Sequence, residues 1–454
     1  MSTPRIKQPY NYEHQELIEP DWRRFPGWKD VTKSEWRDVR WQRVNSVCSV
    51  GQLARVAGGL LDDTFYEDLD RDVRERATMS MLVTPQMLNT VAGQAERSSD
   101  EDLTDVFYAD QVRRYMLPVF SDRHPTWPSH PRAMRDSLRE KEMWTVEGLT
   151  HRYPTKVLAE LVTTCPQYCG HCTRMDIVGQ STPTTGKGRF TQRSRSRLDE
   201  IITYLEAHSE VRDVVVSGGD VANVPWPKLE AFLEALLQIE TIRDIRLATK
   251  ALIGLPQYWL TTEVLIGLER IARTANRRHV QIAVHTHANA AQSITPLVAE
   301  AAHAVLGTGV RNIRNQGVLM RGVNNSPEEL LDTCFALLDG AQITPYYFYM
   351  CDMIPNSEHW RTTLDEAQVL QNQIMGYLPG FATPRIVCDV PYVGKRWVHQ
   401  VVKYDRERGI SYWSKNYRTI ADEHSDMNEL QLFEYYDPID ALPKTGQCWW
   451  SPRL

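Results

Sequence analysis

A chain of 454 residues with a formal net charge of −6 can hold two or three domains, or one large α/β domain with appendages. Its charge balance gives no sign of a general nucleic-acid surface, no run of about 18 apolar residues marks a membrane span, and Met1 to Lys29 lack the apolar core of a secretory signal. Eight cysteines are too sparse for a disulfide scaffold, so a protein of the reducing cytoplasm is expected, with no nucleic-acid or membrane partner.

Residues 1–150 read as an N-terminal region of helices and loops. Thr32-x-x-Glu35 is a capping-box pattern ahead of a segment with Trp36 and Trp41. Thr84-Pro85 sets a cap before a proline at the first helical position. Asp100 to Leu117 reads as helical, and Pro118 to Pro131, rich in Pro, Ser and His, as a loop.

From about Lys156 short apolar runs alternate with helix-period segments. Candidate strands are Val157–Thr163, Val214–Val216, Ile245–Ala248, Val280–His285, Val318–Met320 and Tyr346–Tyr349. Helices lie between them, such as Leu198–Leu205 with apolar residues at i, i+3, i+4, i+7. Ser326-Pro327-Glu328-Glu329 starts another. Six such βα units predict an α/β fold with parallel strands, a partial (β/α)6-type barrel over residues 151–395. In such a fold the strand C-termini carry the site. Residues 396–454, polar and aromatic, are expected to form an irregular tail that packs on its own body or on a second copy.

The most informative motif is Cys165-x3-Cys169-x2-Cys172, just after the first strand. Three thiolates on one loop can hold three irons of a [4Fe–4S] cluster and leave the fourth open to a small molecule. Zinc is the other reading, with His171 as a fourth ligand, but paired C-x2-C knuckles are the usual form and no second pair exists. Ser217-Gly218-Gly219-Asp220 ends the second strand, where glycines let a backbone approach a ligand; a plain strand-to-helix turn explains it equally well. In Pro391-Tyr392-Val393-Gly394-Lys395 the lysine can bond pyridoxal phosphate (PLP) or be solvated surface. Asp352 and Asp389 end two late apolar runs and could pair with a cationic substrate group or act as caps. His285 and His287 face one side of a strand and are assigned no metal. Cys48, Cys334 and Cys448 read as structural.

Taken in order, these stretches resemble lysine 2,3-aminomutase and its relatives, which are radical S-adenosylmethionine (SAM) enzymes. The likeness runs from about Trp28 to about Trp397. It rests on Trp36-x4-Trp41-Gln42, Leu149 to Pro154, the cysteine loop with Thr173-Arg174, the Ser-Gly-Gly-Asp turn, Asn315 to Asn324, Pro345 to Asp352, and Asp389-Val390-Pro391 leading to Lys395. The resemblance implies an isomerase that moves an amino group from Cα to Cβ of an amino acid, with a [4Fe–4S] cluster, SAM and PLP as cofactors. It implies that Cys165, Cys169 and Cys172 ligate the cluster, that Ser217, Gly218, Gly219, Asp220 and Gln316 lie in the SAM region, and that Lys395 binds PLP covalently. Arg174 would meet the substrate carboxylate, and Asp352 and Asp389 its side-chain cation. Tyr153 and Tyr349 would line the space between SAM and PLP. L-Lysine is the first substrate implied and L-arginine the second, with a one-electron reductant such as flavodoxin or ferredoxin and a homo-oligomeric assembly.

The chain departs from the family at several places. The turn before Lys395 is one residue shorter. Lys156 stands near the PLP phosphate where arginine is typical, and lysine serves phosphate as a point charge. Ser326 replaces one cysteine of a known structural zinc site, so no such zinc is expected. A radical SAM enzyme that modifies protein or RNA without PLP is a second class, and a non-enzymatic zinc or electron-transfer protein a third.

Overall fold

The computed structural model describes residues 10–93, 102–418 and 431–451. Ten strands lie in sequential order in one sheet. They are β1 (Trp144–Val146), β2 (Leu149–Tyr153), β3 (Lys156–Val162), β4 (Asp213–Gly218), β5 (Asp244–Ala248), β6 (Gln281–Thr286), β7 (Asn312–Leu319), β8 (Thr344–Met350), β9 (Arg385–Val390) and β10 (Gly394–Trp397). Strands β1 to β3 pair antiparallel, β3 to β9 parallel, and β10 returns antiparallel on β9. Among the described residues β1 and β10 do not meet, so the barrel is open.

All six predicted strands are present, and the α/β partial barrel is as expected. The parallel set has a seventh member, β9. Its core residues Ile386 to Val390 are all buried, and a run buried on both faces has no alternation to separate it from a buried helix segment. The hairpin strands β1 and β2 are short and lie next to Gly148, whose φ is +80°. The predicted crossover helices form, including Ser194–Ala207, Trp226–Gln238 and Pro296–Gly307.

Local signals set the helix starts. Thr32 with Glu35 and Ser326 with Glu329 form reciprocal capping boxes, and Thr84 caps a helix that opens on Pro85. The stretch read as one helix from Asp100 to Leu117 is two, Leu103–Ala109 and Gln111–Met116. Asp110 between them is extended, and its carboxylate caps the second helix at the Arg113 amide. Asp100 and Glu101 lie outside the described residues.

The N-terminal helices and the barrel share one core, in which Phe25, Trp36 and Phe107 belong with Val214, Leu247 and Val284. Trp36 stacks on Trp22 at 4.8 Å and donates its indole N–H to Gln86 at 3.1 Å. Gln257 of the barrel donates to the same oxygen at 3.1 Å. The C-terminal tail is more ordered than expected. Strands β11 (Lys403–Asp405), β12 (Ile410–Ser414) and β13 (Leu432–Tyr436) form an antiparallel sheet, followed by a helix, Lys444–Trp450. Trp413 and Tyr435 are buried against β9. These strands are too short, and too mixed in polar and aromatic residues, for a period to stand out.

The Gly-Gly turn after β4 fixes the site. Gly218 has φ +109°, a region that favours glycine. A Cβ on Gly219 would collide with the Thr164 carbonyl, just ahead of Cys165. The Gly219 amide donates to Val162 at 2.6 Å and the Asp220 amide to Thr164 at 3.1 Å. Gly219→Ala is therefore expected to destabilise the fold by about 1–3 kcal/mol, as overpacking does. Chemical denaturation checks this, and an unchanged midpoint would show that the turn can give way.

Candidate active site

A cavity of about 360 Å³ runs along one face of the sheet to the cysteine loop. Alternate strand residues line it, among them Val215 and Ser217, Arg246 and Ala248, His285 and His287, Gln316 and Val318, and Tyr347 and Tyr349, as the period of two requires. Every predicted site residue lines this cavity except Gly218, whose carbonyl lies 3.4 Å from Arg174 Nη1.

At one end stand Cys165, Cys169 and Cys172, all free thiols and partly buried. Burial, and then the neighbouring Cys169, push the Cys172 thiol up to about 11. Burial, followed by Asp220 and the other two sulfurs, also raises Cys165 well above the usual thiol range. Three thiols gathered on one loop, two of them held protonated by burial and by their neighbours, suit a cationic group that would ligate them all. Among the described residues no three of His, Cys, Asp and Glu converge as a single-ion site. His171 turns its Nε2 to His287 at 3.1 Å rather than to the sulfurs. Both findings count against zinc, and three separate corners of an iron–sulfur cube fit the loop better.

The Ser-Gly-Gly-Asp turn also ties the strand ends together. Its Gly219 amide binds the end of β3 and its Asp220 amide the start of the cysteine loop, and the buried Asp220 carboxylate is saturated by four protein donors. These are the amides of Ala222 at 2.9 Å, Lys250 at 2.7 Å and Ala251 at 3.1 Å, and the Thr249 hydroxyl at 2.7 Å. Asp220 thus pins the ends of β4 and β5 together beside the thiols. Lys250, held there by its amide, presents an Nζ with no hydrogen-bond partner among the described residues, 4.8 Å from the Tyr115 ring centroid. A buried ammonium in that state fits an anionic ligand group. Gln316 donates to His285 Nδ1 at 2.8 Å. Burial, then the charges of Arg246 and Arg314, push His285 down to about 3, so the ring is neutral.

At the other end Lys395 stands directly across from Asp389 in the β9–β10 pairing, with Nζ 3.7 Å from the carboxylate. The Lys395 amide donates to the Tyr153 hydroxyl at 3.1 Å. Gly394, at φ +83°, packs so closely on that hydroxyl that any Cβ would strike it. Tyr392, also in the left-handed region at φ +64°, completes the tight turn. Burial lowers the Lys395 amine, but Tyr349, Tyr153 and Asp389 hold it above the ordinary lysine range. Lys156 lies 4.2 Å from the Tyr153 ring centroid. Tyr346, Tyr347 and Tyr349 add an aromatic wall. A lysine amine, that wall and the cations Arg152 and Lys156 fit an aromatic aldehyde that carries a phosphate.

The two predicted acids differ. Asp389 already accepts from Arg152 Nη1 at 3.0 Å. Asp352 faces the cavity with no ion pair among the described residues, and burial, then Asp389, raises its carboxyl well above the usual range. Arg174 is not bare either, because Nε lies 3.0 Å from both Glu140 and Glu160. Arg152, Glu140, Glu160 and Lys250 are the site residues that sequence reasoning passed over. Glu160 left a signal, an acid inside the apolar run of β3, whereas Glu140 sits in an unremarked turn.

No protein-family model matches the chain. In Streptococcus suis SuiB bound to S-adenosylmethionine, 13% identical with a TM-score of 0.38, the match covers 52% of this chain and 51% of that one, a likeness too loose to argue from. The glutamate 2,3-aminomutase of Clostridioides difficile is 24% identical over 364 residues, 80% of this chain and 76% of the relative. The L-lysine 2,3-aminomutase of Fusobacterium nucleatum is 30% identical over 362 residues, 80% of this chain and 76% of the relative. Likeness at that level, over four fifths of the chain, makes it a member of the lysine 2,3-aminomutase family of isomerases.

Proposed function

We propose that the protein is a PLP-dependent radical SAM 2,3-aminomutase whose substrate is a basic L-α-amino acid, L-lysine first. The observation that carries this reading is one cavity that has three free thiols of a single loop at one end and, at the other, Lys395 beside Asp389 with the unpaired Asp352 between the strand ends. Cysteine-bound iron–sulfur, SAM and PLP would supply the one-electron chemistry and the electron sink that a migration of nitrogen needs. The chain's own residues do the rest.

Cys165, Cys169 and Cys172 would hold three irons, and the Lys250 ammonium would neutralise an anionic group bound beside them. Arg152 and Lys156 would take the phosphate of PLP. The Lys395 amine must lose its proton before Nζ can bond to carbon, and Asp389 is the carboxylate placed beside it. Tyr153 fixes the Lys395 backbone while that happens. Arg174 keeps guanidinium N–H groups for the substrate carboxylate, which aligns Cα and Cβ. Asp352 receives the side-chain cation. A flavodoxin or ferredoxin as electron donor and a homo-oligomeric assembly belong to the same reading.

L-Arginine is the second substrate reading, because Asp352 suits a guanidinium as well as an ammonium. An anionic side chain, as in the glutamate enzyme, would face Asp352 and Asp389 together. The test is to incubate reduced, reconstituted protein with SAM, PLP and lysine, arginine, glutamate or alanine, and to identify products by mass spectrometry. β-Lysine, or failing that β-arginine, is expected. Faster turnover of glutamate or alanine would overturn the reading.

Borohydride reduction with PLP followed by peptide mapping is expected to place the label on Lys395; a label on Lys250 or Lys403 would refute its role. Asp352→Asn is expected to weaken lysine binding by about 1.5–3 kcal/mol, the worth of a charge-assisted hydrogen bond. Asp389→Asn should do more, since it also strips Arg152 and Lys395 of a shared anion. Steady-state KM values compare the two, and equal effects would show that Asp389 serves the substrate alone.

A further inference from the structure

Acidic and basic side chains alternate in one unbroken line along the lysine half of the cavity. Glu160 Oε1 lies 3.0 Å from Arg174 Nε, and Arg174 Nε lies 3.0 Å from Glu140 Oε2. Glu140 Oε1 lies 3.7 Å from Arg152 Nη2. Arg152 Nη1 lies 3.0 Å from Asp389 Oδ1, and Asp389 Oδ2 lies 3.7 Å from Lys395 Nζ. Among the described residues Glu140 is the one carboxylate that touches both arginines. Glu160 reaches Arg174 alone, and Asp389 reaches Arg152 and Lys395.

We infer that Glu140 is a positioning residue that sets the spacing between the arginine for the substrate carboxylate and the arginine for PLP. This rests on the functional reading above. Arg174 leaves the cysteine loop and Arg152 belongs to β2, so no common element fixes their separation. Two guanidiniums in a buried space repel each other unless an anion stands between them. Glu140 supplies that anion from outside the parallel strands. Burial alone would raise its carboxyl, but Arg174 and Arg152 more than offset this and hold it ionised.

The turn that carries Glu140 is itself strapped down. The Asp136 carboxylate accepts from the Glu140 amide at 2.9 Å and from the Lys141 amide at 3.1 Å. Lys141 reaches the far side of the cysteine loop through Asp176 at 2.6 Å. Arg139, next to Glu140, sits in the left-handed region at φ +57°, a conformation that persists where its surroundings over-determine it. The placement of one side chain is thereby tied to both ends of the cavity.

The test compares Glu140→Gln with Glu160→Gln in the full-length reconstituted protein. PLP affinity is read by absorbance titration without substrate, KM for lysine by product analysis, and folding by thermal melts. Glu140→Gln is expected to weaken PLP binding at least fivefold and to raise KM at least tenfold. Glu160→Gln is expected to raise KM while PLP affinity stays within twofold of wild type. If Glu140→Gln does not fold, Glu140→Asp, which keeps the charge and withdraws it by one carbon, is expected to move the same two readouts together. A Glu140 variant that folds and shifts only one of them, or a Glu160→Gln that shifts both, overturns the inference. Wild-type protein that binds no PLP overturns the functional reading itself.

Discussion

The closeness of two backbones, Gly219 against Thr164, is the constraint on which the rest of the site depends. The cysteine loop has no secondary structure of its own and takes its position from the end of β4 through the Gly219 and Asp220 amides. On the opposite side Gly170 lies against the Trp360 ring with no room for a Cβ. The loop is thus gripped at its start and its middle by chain segments far apart in sequence. Loops that carry chemistry are placed by rigid scaffolds in this way, and here the scaffold works by letting main chain meet main chain.

The second organising force is charge placed in a dry interior. Single buried charges are costly, and the interior tolerates them where each has a counter-charge and hydrogen bonds. The line from Glu160 to Lys395 meets that condition at every link but its ends. Burial pushes Glu160 up to about 8 in spite of Arg174, and its second carboxylate oxygen is a buried atom with no hydrogen-bond partner. Asp352, beside the line, carries no paired cation. The imbalance therefore sits where a ligand would correct it, and binding of a cation beside Asp352 would relieve a cost already built into the fold.

Much of this was legible in the sequence, for local reasons. The cysteine spacing, the capping boxes at Thr32 and Ser326, the six strands and Lys395 after its glycine are signals carried within a few residues. The glycines of the Ser-Gly-Gly-Asp turn were visible too, but their partner was not, because Thr164 is brought to Gly219 only by parallel pairing of β3 with β4. The same limit hid the charge line. Arg152 finds Asp389 across most of the sheet, and Glu140 finds Arg174 from a turn with no periodic pattern. Residue type and spacing announce what a loop can bind; which acid reaches which arginine is decided by register. Strand β9 escaped for a different reason, because a strand buried on both faces offers no alternation to read.

The second hydrophobic cluster gathers Leu319 and Phe348 of the barrel, Ile386 and Cys388 of β9, and Trp413 and Tyr435 of the tail. Its tail members are made after every strand of the barrel. Until they arrive, the outer side of β9 is covered only in part, by the helix Leu364–Gln373, although the cysteine loop has long been made. A nascent chain in this state exposes apolar surface at the strand that holds Asp389, the condition in which multi-element folds are most prone to aggregate. The order of synthesis thus leaves the Lys395 end of the cavity to be completed after the cysteine end, and a message cut short before Trp413 would yield a chain that carries the three thiols but lacks the finished wall behind β9.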